Sequence, residues 1–224
     1  MPNSLTSEHA DAVLRRLHTA ADEQESGRAS MPLPPLPEGL RSWNDAPAAM
    51  HADAFQDIYI PICADAGRLL YALTRAIRPQ TVVEFGTSFG ISTIYLAAAV
   101  ADNGTGHVFT TELSRKKAAA ARANLEEAGV AAQVTILSGD ALDTLAGVSG
   151  PVGLVLLDGW KDLCLPVLRL LEPKLAPGAL VAADDITHAG MAPYLDFIRD
   201  PASGYVSVAF PVEDGMEISS WTGR

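Results

Sequence analysis

The sequence predicts an α/β fold: a doubly wound, mostly parallel seven-stranded sheet with an antiparallel C-terminal hairpin, preceded by an N-terminal helical arm. Three observations carry this. From Thr81 onward, short β-branched apolar runs without polar alternation are separated by helical stretches, the pattern of strands buried on both faces. Two further runs flank Glu213-Asp214-Gly215 and read as a hairpin. With 48% apolar residues in 224, the chain is long enough to bury one full core.

Taken in order, Ser4 to Ala21 reads as a helix with Leu14 and Leu17 on one stripe. ADEQESGRAS and MPLPPLPEGL follow, and Pro32, Pro34, Pro35 and Pro37 fix φ and remove donors. Residues 1–50 are therefore expected to form an arm, serving as a lid or a dimer contact, ahead of a domain spanning 51–224. Asp45 to Ile77 reads as one or two helices, interrupted at Pro61 and closed before Pro79. TVVEF is the first strand, ISTIYLAAAVA a helix and HVFTT the second strand. SRKKAAAARANLEEAG is a helix, with Ser114 as N-cap and Gly129 as its stop. QVTIL and VGLVLL make the third and fourth strands, and GALVAA the fifth after the turn-forming Ala176-Pro177-Gly178. YVSVAF and MEISSW form the hairpin.

Composition narrows the function. Sixteen basic against 27 acidic residues leave a net charge of −11, which argues against nucleic acid and against an anionic membrane surface. Aromatics at 6% argue against a base-stacking platform. Cys63 and Cys164 match no zinc or CxxC spacing and read as small buried hydrophobes. No signal-peptide core and no apolar run near the roughly 20 residues of a membrane span are present, so a soluble, cytoplasmic chain is expected.

The segment Glu84-Phe85-Gly86-Thr87-Ser88-Phe89-Gly90 follows a strand and opens a helix. Glycine there lets backbone approach a ligand, and the helix N-terminus adds N–H groups. The spacing is GxxxG, without the second glycine of a tight pyrophosphate turn. Glu84 at that strand end repels phosphate but welcomes an ammonium. Glu112 ends the second strand, where an acid can accept from ribose hydroxyls, and Asp140 follows the third, where it can meet an adenine amino group. Each alone could be a loop carboxylate or helix cap; together they favour a cofactor with ribose, adenine and a positive centre. Asp158 ends the fourth strand with Lys161 three residues on, and Asp184-Asp185 ends the fifth. Clustered carboxylates suit magnesium or another hard divalent ion, and Lys161 beside one could act as a base. The bland alternative is an Asp158–Lys161 salt bridge and a capped turn.

The ordered set EFGTSFGIS, TELS, GDAL, LLDGWKD and PGALVAADD, with the closing VEDGMEISSW, resembles the class I methyltransferases that use S-adenosylmethionine. Within these it is similar to the cation-dependent catechol and caffeoyl-CoA O-methyltransferases, over roughly residues 55–224. The resemblance implies a Rossmann-like sheet and a methyl transfer to a hydroxyl of a small, hydroxylated, aromatic acceptor. Glu84, Gly86 and Ser92 would hold the methionine part and cofactor backbone, with Thr87 among the cofactor-binding residues. Glu112 would hold the ribose, and Asp140 and Ala141 would flank adenine, with Trp160 packing on it. Asp158 would also touch the cofactor; Asp158, Asp184 and Asp185 would bind the metal, and Lys161 would take the acceptor proton. A homodimer is expected on the same ground. Two positions depart from the family: Asp185 stands where it has asparagine, and Val208 where the catechol enzymes place a substrate-positioning glutamate.

Three rival readings follow. Asp185 could mark a lost metal site in a metal-independent methyltransferase. An NAD-dependent oxidoreductase is disfavoured by GxxxG and Glu84, and a cofactor-binding protein without turnover by an intact Lys161. Among other residues, His188 reads as a surface or capping histidine, and His51 and Tyr59 as packing near an acceptor pocket. Trp43, Phe55, Tyr194 and Trp221 could be wall or core, and Arg115, Lys116 and Lys117 read as a solvated first helical turn.

Overall fold

The computed structural model describes residues 3–27, 34–41, 43 and 46–223. Pro32 and Asp45, and with them part of the expected arm, lie outside the described residues.

A seven-stranded sheet runs in the order β3-β2-β1-β4-β5-β7-β6. Its strands are β1 (Thr81–Phe85), β2 (His107–Glu112), β3 (Val134–Ser138), β4 (Val152–Leu157), β5 (Leu175–Ala183), β6 (Tyr205–Phe210) and β7 (Met216–Trp221). The first five are parallel, and β7 runs antiparallel to both β5 and β6. The chain winds from β1 out to β3, then crosses to β4, so the order reverses between β1 and β4. Ligands of such sheets bind in the crevice at that reversal.

Helices cover both faces. On one, α1 (Glu8–Gly27), α3 (Ala64–Ile77), α4 (Ile91–Asn103) and α5 (Arg115–Glu127) bury Leu17, Leu70, Ile94 and Leu125 against Val82, Val108 and Leu156. On the other, α6 (Ala141–Thr144), α7 (Cys164–Leu171) and α8 (Ala192–Ile198) bury Ala141, Leu168 and Ile198 against Val83, Val155 and Val181. The helix α2 (Ala48–Ala54) stands apart, near the carboxyl ends of the strands. Strand alternation therefore splits one apolar run between two cores. At Gly67 a Cβ would sit 2.3 Å from the Tyr95 ring, so only glycine lets α3 lie this close to α4.

The expected elements are present with three differences. The first helix begins after a 3-10 turn at Ser4–Thr6 and runs on to Gly27, past the expected end at Ala21 and into residues read as the start of the arm. β5 begins at Leu175, before Ala176-Pro177-Gly178, because Leu175 already pairs with Val152; the register then shifts before Leu154 meets Leu180. The third correction is Lys117, which is buried and not solvated. Cys164 is buried and Cys63, half-buried, caps α3 by accepting from the Ala66 N–H. Tyr194 lies in the core and Trp221 packs on Tyr205.

The outer strand β6 carries no charged residue and turns Val206, Val208 (61% exposed) and Phe210 to solvent. None of the helices among the described residues is long and apolar enough to cross a membrane.

Candidate active site

Backbone hydrogen bonds lock the strand ends into one platform. Thr87 N donates to Thr111 O (3.1 Å), Gly139 N to Glu112 O (3.0 Å), Asp158 N to Phe85 O (2.9 Å) and Asp184 N to Leu157 O (3.1 Å). The ladders thus continue past the strands and fix where each acid projects. Gly86 has φ 105°, and a Cβ there would lie 2.5 Å from the Asp158 carbonyl oxygen. The loops after β1 and β4 can touch only because this residue has no side chain.

Above the platform lies a cavity of about 440 Å³. Its lining includes Gly86, Thr87, Ser92, Glu112, Asp140, Ala141, Asp158, Trp160, Lys161 and Asp185. Glu84 and Asp184 lie beneath the wall, both buried. Of the residues read from the sequence as cofactor-binding, metal-binding or catalytic, all but Glu84 and Asp184 line this cavity.

Glu84 is fully buried and accepts from Thr93 Oγ1 at 2.5 Å, while among the described residues no hydrogen-bond donor meets its other oxygen at good geometry. Burial pushes its carboxyl up to about 7, against the opposing pull of the Ser92, Thr110 and Thr93 hydroxyls. Glu112 is held by the chain on both oxygens: Ser88 N donates to Oε2 and Ser114 N to Oε1, each at 2.8 Å. Lone pairs remain on both oxygens for a ligand's hydroxyls. Asp140 caps α6 by accepting from Leu142 N at 2.8 Å, so it is a helix cap and a cavity residue at once.

Asp158, Asp184 and Asp185 each offer an oxygen, all within 4.8 Å of one another. Lys161 Nζ lies 3.1 Å from Asp158 Oδ1 and 2.9 Å from Asp185 Oδ2. Burial, then Asp158 and Asp185, outweighs Lys161 and raises Asp184; burial with Asp185 outweighs Lys161 and raises Asp158. Burial opposes the charge on Lys161, but Asp158 and Asp185 outweigh it and hold the ammonium above lysine's ordinary value. Asp185 is left-handed, with φ 55°, a conformation that among non-glycine residues Asn and Asp accept best. Three carboxylates and one ammonium leave a deficit of two positive charges when all are ionised, and the donor set is hard oxygen. The residues fit a hard divalent cation.

His188 Nδ1 accepts from Gly190 N at 3.0 Å, a cap as expected. Trp160 meets His51 edge-on with ring centroids 4.4 Å apart, and Phe55 at 6.0 Å. Trp43, His51, Phe55 and Tyr59 all line the cavity. Lys117, 6% exposed, lies over the Phe89 ring at 5.4 Å from its centroid and also lines the cavity. Burial pulls its pKa down. Sequence reasoning missed Lys117, since a lysine in a first helical turn carries no signal of burial. Val208 lies on β6, away from the cavity lining.

Comparison with known proteins agrees with this geometry. The model of a methyltransferase domain family matches residues 83–186. A catechol O-methyltransferase of Mycobacterium tuberculosis is 36% identical over 146 residues, which is 65% of this chain and 66% of that protein. One from Niastella koreensis is 30% identical over 135 residues, covering 58% of this chain and 60% of that one. The chain thus spans just under two thirds of these relatives' length. Among solved structures, cofactor-bound Rv0187 from MTB superposes with a TM-score of 0.69 at 28% identity, covering 82% of this chain and 94% of that one. The O-methyltransferase TomG from Streptomyces achromogenes, in complex with SAM, shares the fold with a TM-score of 0.68 at 24% identity, covering 97% and 100%.

Proposed function

Because this chain belongs to the class I S-adenosylmethionine-dependent methyltransferase family that includes the catechol O-methyltransferases, we propose that it is an O-methyltransferase acting on a hydroxyl of a small aromatic metabolite, assisted by a divalent cation. One observation carries the reading: the Asp158-Asp184-Asp185-Lys161 cluster borders the same cavity as Glu112, Asp140 and Gly86. A methyl donor and an activated acceptor can therefore meet in one cavity.

In this reading Glu84, Gly86, Thr87 and Ser92 hold the methionine end of S-adenosylmethionine. Glu112 accepts from the ribose hydroxyls, and Asp140 and Ala141 flank adenine against Trp160. Asp158, Asp184 and Asp185 hold Mg2+ or a similar ion, which when bound would acidify an acceptor hydroxyl. Lys161 receives the acceptor proton. A base must start neutral, and here Asp158 and Asp185 keep Lys161 protonated; carboxylates engaged by a cation would release that hold. His51, Phe55 and Trp160 exclude water from the transfer, which consumes opposite charges and is favoured in a dry site. Positioning supplies much of the rate.

A homodimer and a cytoplasmic setting belong to the same proposal, the first resting on the family resemblance and the second supported by two free cysteines. Of the 1–50 segment, Trp43 and Ala48 line the cavity, and the segment is read as a lid or a dimer contact. A second reading, a methyltransferase that needs no metal, is favoured by the Lys161 ammonium already seated between Asp158 and Asp185.

Isothermal titration with S-adenosylmethionine, with and without magnesium and repeated on Asp158→Ala, tests the proposal. Cofactor binding plus a magnesium heat lost in Asp158→Ala supports the cation-assisted enzyme. Cofactor binding with no response to magnesium, manganese or calcium favours the metal-free reading. No cofactor binding sinks both.

A further inference from the structure

The segment from Pro47 to Pro61 crosses the mouth of the cavity as a strap. At one rim, His51 and Phe55 lie edge-on to Trp160. At the other, Tyr59 stacks on Phe89, with ring centroids 4.1 Å apart and planes 17° from parallel. Trp160 belongs to the loop after β4, and Phe89 to the loop after β1. Both rims are therefore loops that hold the cofactor in the proposed reading. Phe55, Tyr59, Ile60 and Pro61 line the cavity from above. The strap thus bridges two loops that line the cavity, one at each rim.

The last turns of α1 hold this strap by its backbone. Gln24 Nε2 donates to the Asp57 carbonyl at 2.8 Å, and Tyr59 N donates to Gln24 Oε1 at 2.7 Å. One side chain that both donates and accepts is required, and an amide supplies that. The neighbours Asp22, Glu23 and Glu25 are acids and as carboxylates could not donate. α1 is itself fixed to the body. The turn ahead of it is bound through Ser4 Oγ to Asp102 at 2.6 Å, and Arg16 reaches Asn124 at 3.1 Å and Glu127 at 2.6 Å. A second tie to the strap, Lys116 with Asp57, is an exposed ion pair, of a kind that contributes little. Gln24 is thus the directed contact between an anchored rod and the strap.

We propose that the Gln24 carboxamide is a latch that holds the 47–61 strap closed and sets how fast the nucleoside-bearing cofactor enters and leaves. The inference rests on the methyltransferase reading of the cavity. Gln24 touches no ligand; it is a positioning residue that acts through the backbone of Asp57 and Tyr59. If exchange waits on opening, entry and exit both scale with the open fraction, and affinity stays nearly constant.

Stopped-flow measurement of S-adenosylhomocysteine binding to the full chain tests this, comparing wild type with Gln24→Ala and Gln24→Glu. In Gln24→Ala, association and dissociation rates are each expected to rise on the order of tenfold, with Kd changed by less than about twofold. Gln24→Glu, which can accept from Tyr59 but cannot donate to Asp57, should move both rates the same way. Amide exchange at Tyr59 in the ligand-free protein should also quicken in Gln24→Ala. A damaged pocket would instead weaken Kd with association unchanged, and that result overturns the latch. So do unchanged rates in a chain that binds. A wild-type chain that takes up no S-adenosylhomocysteine overturns the cofactor reading and this inference with it.

Discussion

The Asp185 carboxylate lies 2.9 Å from the Lys161 ammonium, on a residue whose backbone is left-handed at φ 55°. One residue thus combines a conformational demand with an electrostatic one, and two substitutions separate them. Asp185→Asn keeps a side chain that tolerates this backbone and keeps a ligand oxygen, but removes a charge. It should leave the melting temperature nearly unchanged and weaken magnesium binding in calorimetry. Asp185→Ala should in addition lose about 1 kcal/mol of stability in urea unfolding, because a left-handed alanine is strained.

Gly86→Ala is expected to cost S-adenosylmethionine affinity at least tenfold by titration. The added methyl would sit 2.5 Å from the Asp158 carbonyl oxygen, forcing apart two loops that frame the cavity, and φ 105° would strain it further.

Glu84 gives ligand-free stability a pH signature. Its folded value of about 7 lies above the ordinary 4.5 because of burial. Its favourable share is full below pH 4.5 and is lost as pH rises through 7, since the folded state then gives up a proton it holds more tightly than the unfolded chain does. Glu84→Gln retains an acceptor for Thr93 and should raise stability at pH 8 by roughly 2–3 kcal/mol, with little gain at pH 4. Thermal melts across that range read it directly.

Asp102 behaves oppositely. Burial would raise its carboxyl, but Ser4 and Tyr71 outweigh burial and hold it below the ordinary range. Its share is present above that range and lost as pH falls through the depressed value. Asp102→Asn weakens the bonds from Ser4 and Tyr71 and should cost about 1–2 kcal/mol at pH 7, with faster amide exchange at Ser4.

How much of this was legible in the sequence depended on the range of the cause. Buried strands such as VGLVLL announce themselves locally, and Ser114 caps α5 by accepting from Lys117 N as its position predicts. The acids at the strand ends were legible because a parallel sheet delivers all its carboxyl ends to one side. What escaped was decided by tertiary contact. Lys117 is buried because Phe89 supplies its ring, and nothing within α5 encodes that. Residues 22–27 read as part of the arm, ahead of its prolines, yet Gln24 finds backbone partners 33 and 35 positions away and the helix runs on to Gly27. The early start of β5 depends on Leu175 meeting Val152 across strands, a pairing that the turn-forming Pro177-Gly178 conceals.

The outer strand β6 has a consequence for handling the protein at high concentration. Its sequence YVSVAF has no lysine or proline to discourage another strand from pairing with it, while a net charge of −11 keeps whole molecules apart at low ionic strength. Added salt removes that repulsion and leaves the apolar edge unguarded. Turbidity should therefore rise with ionic strength, and Val208→Lys should suppress it without touching the cavity.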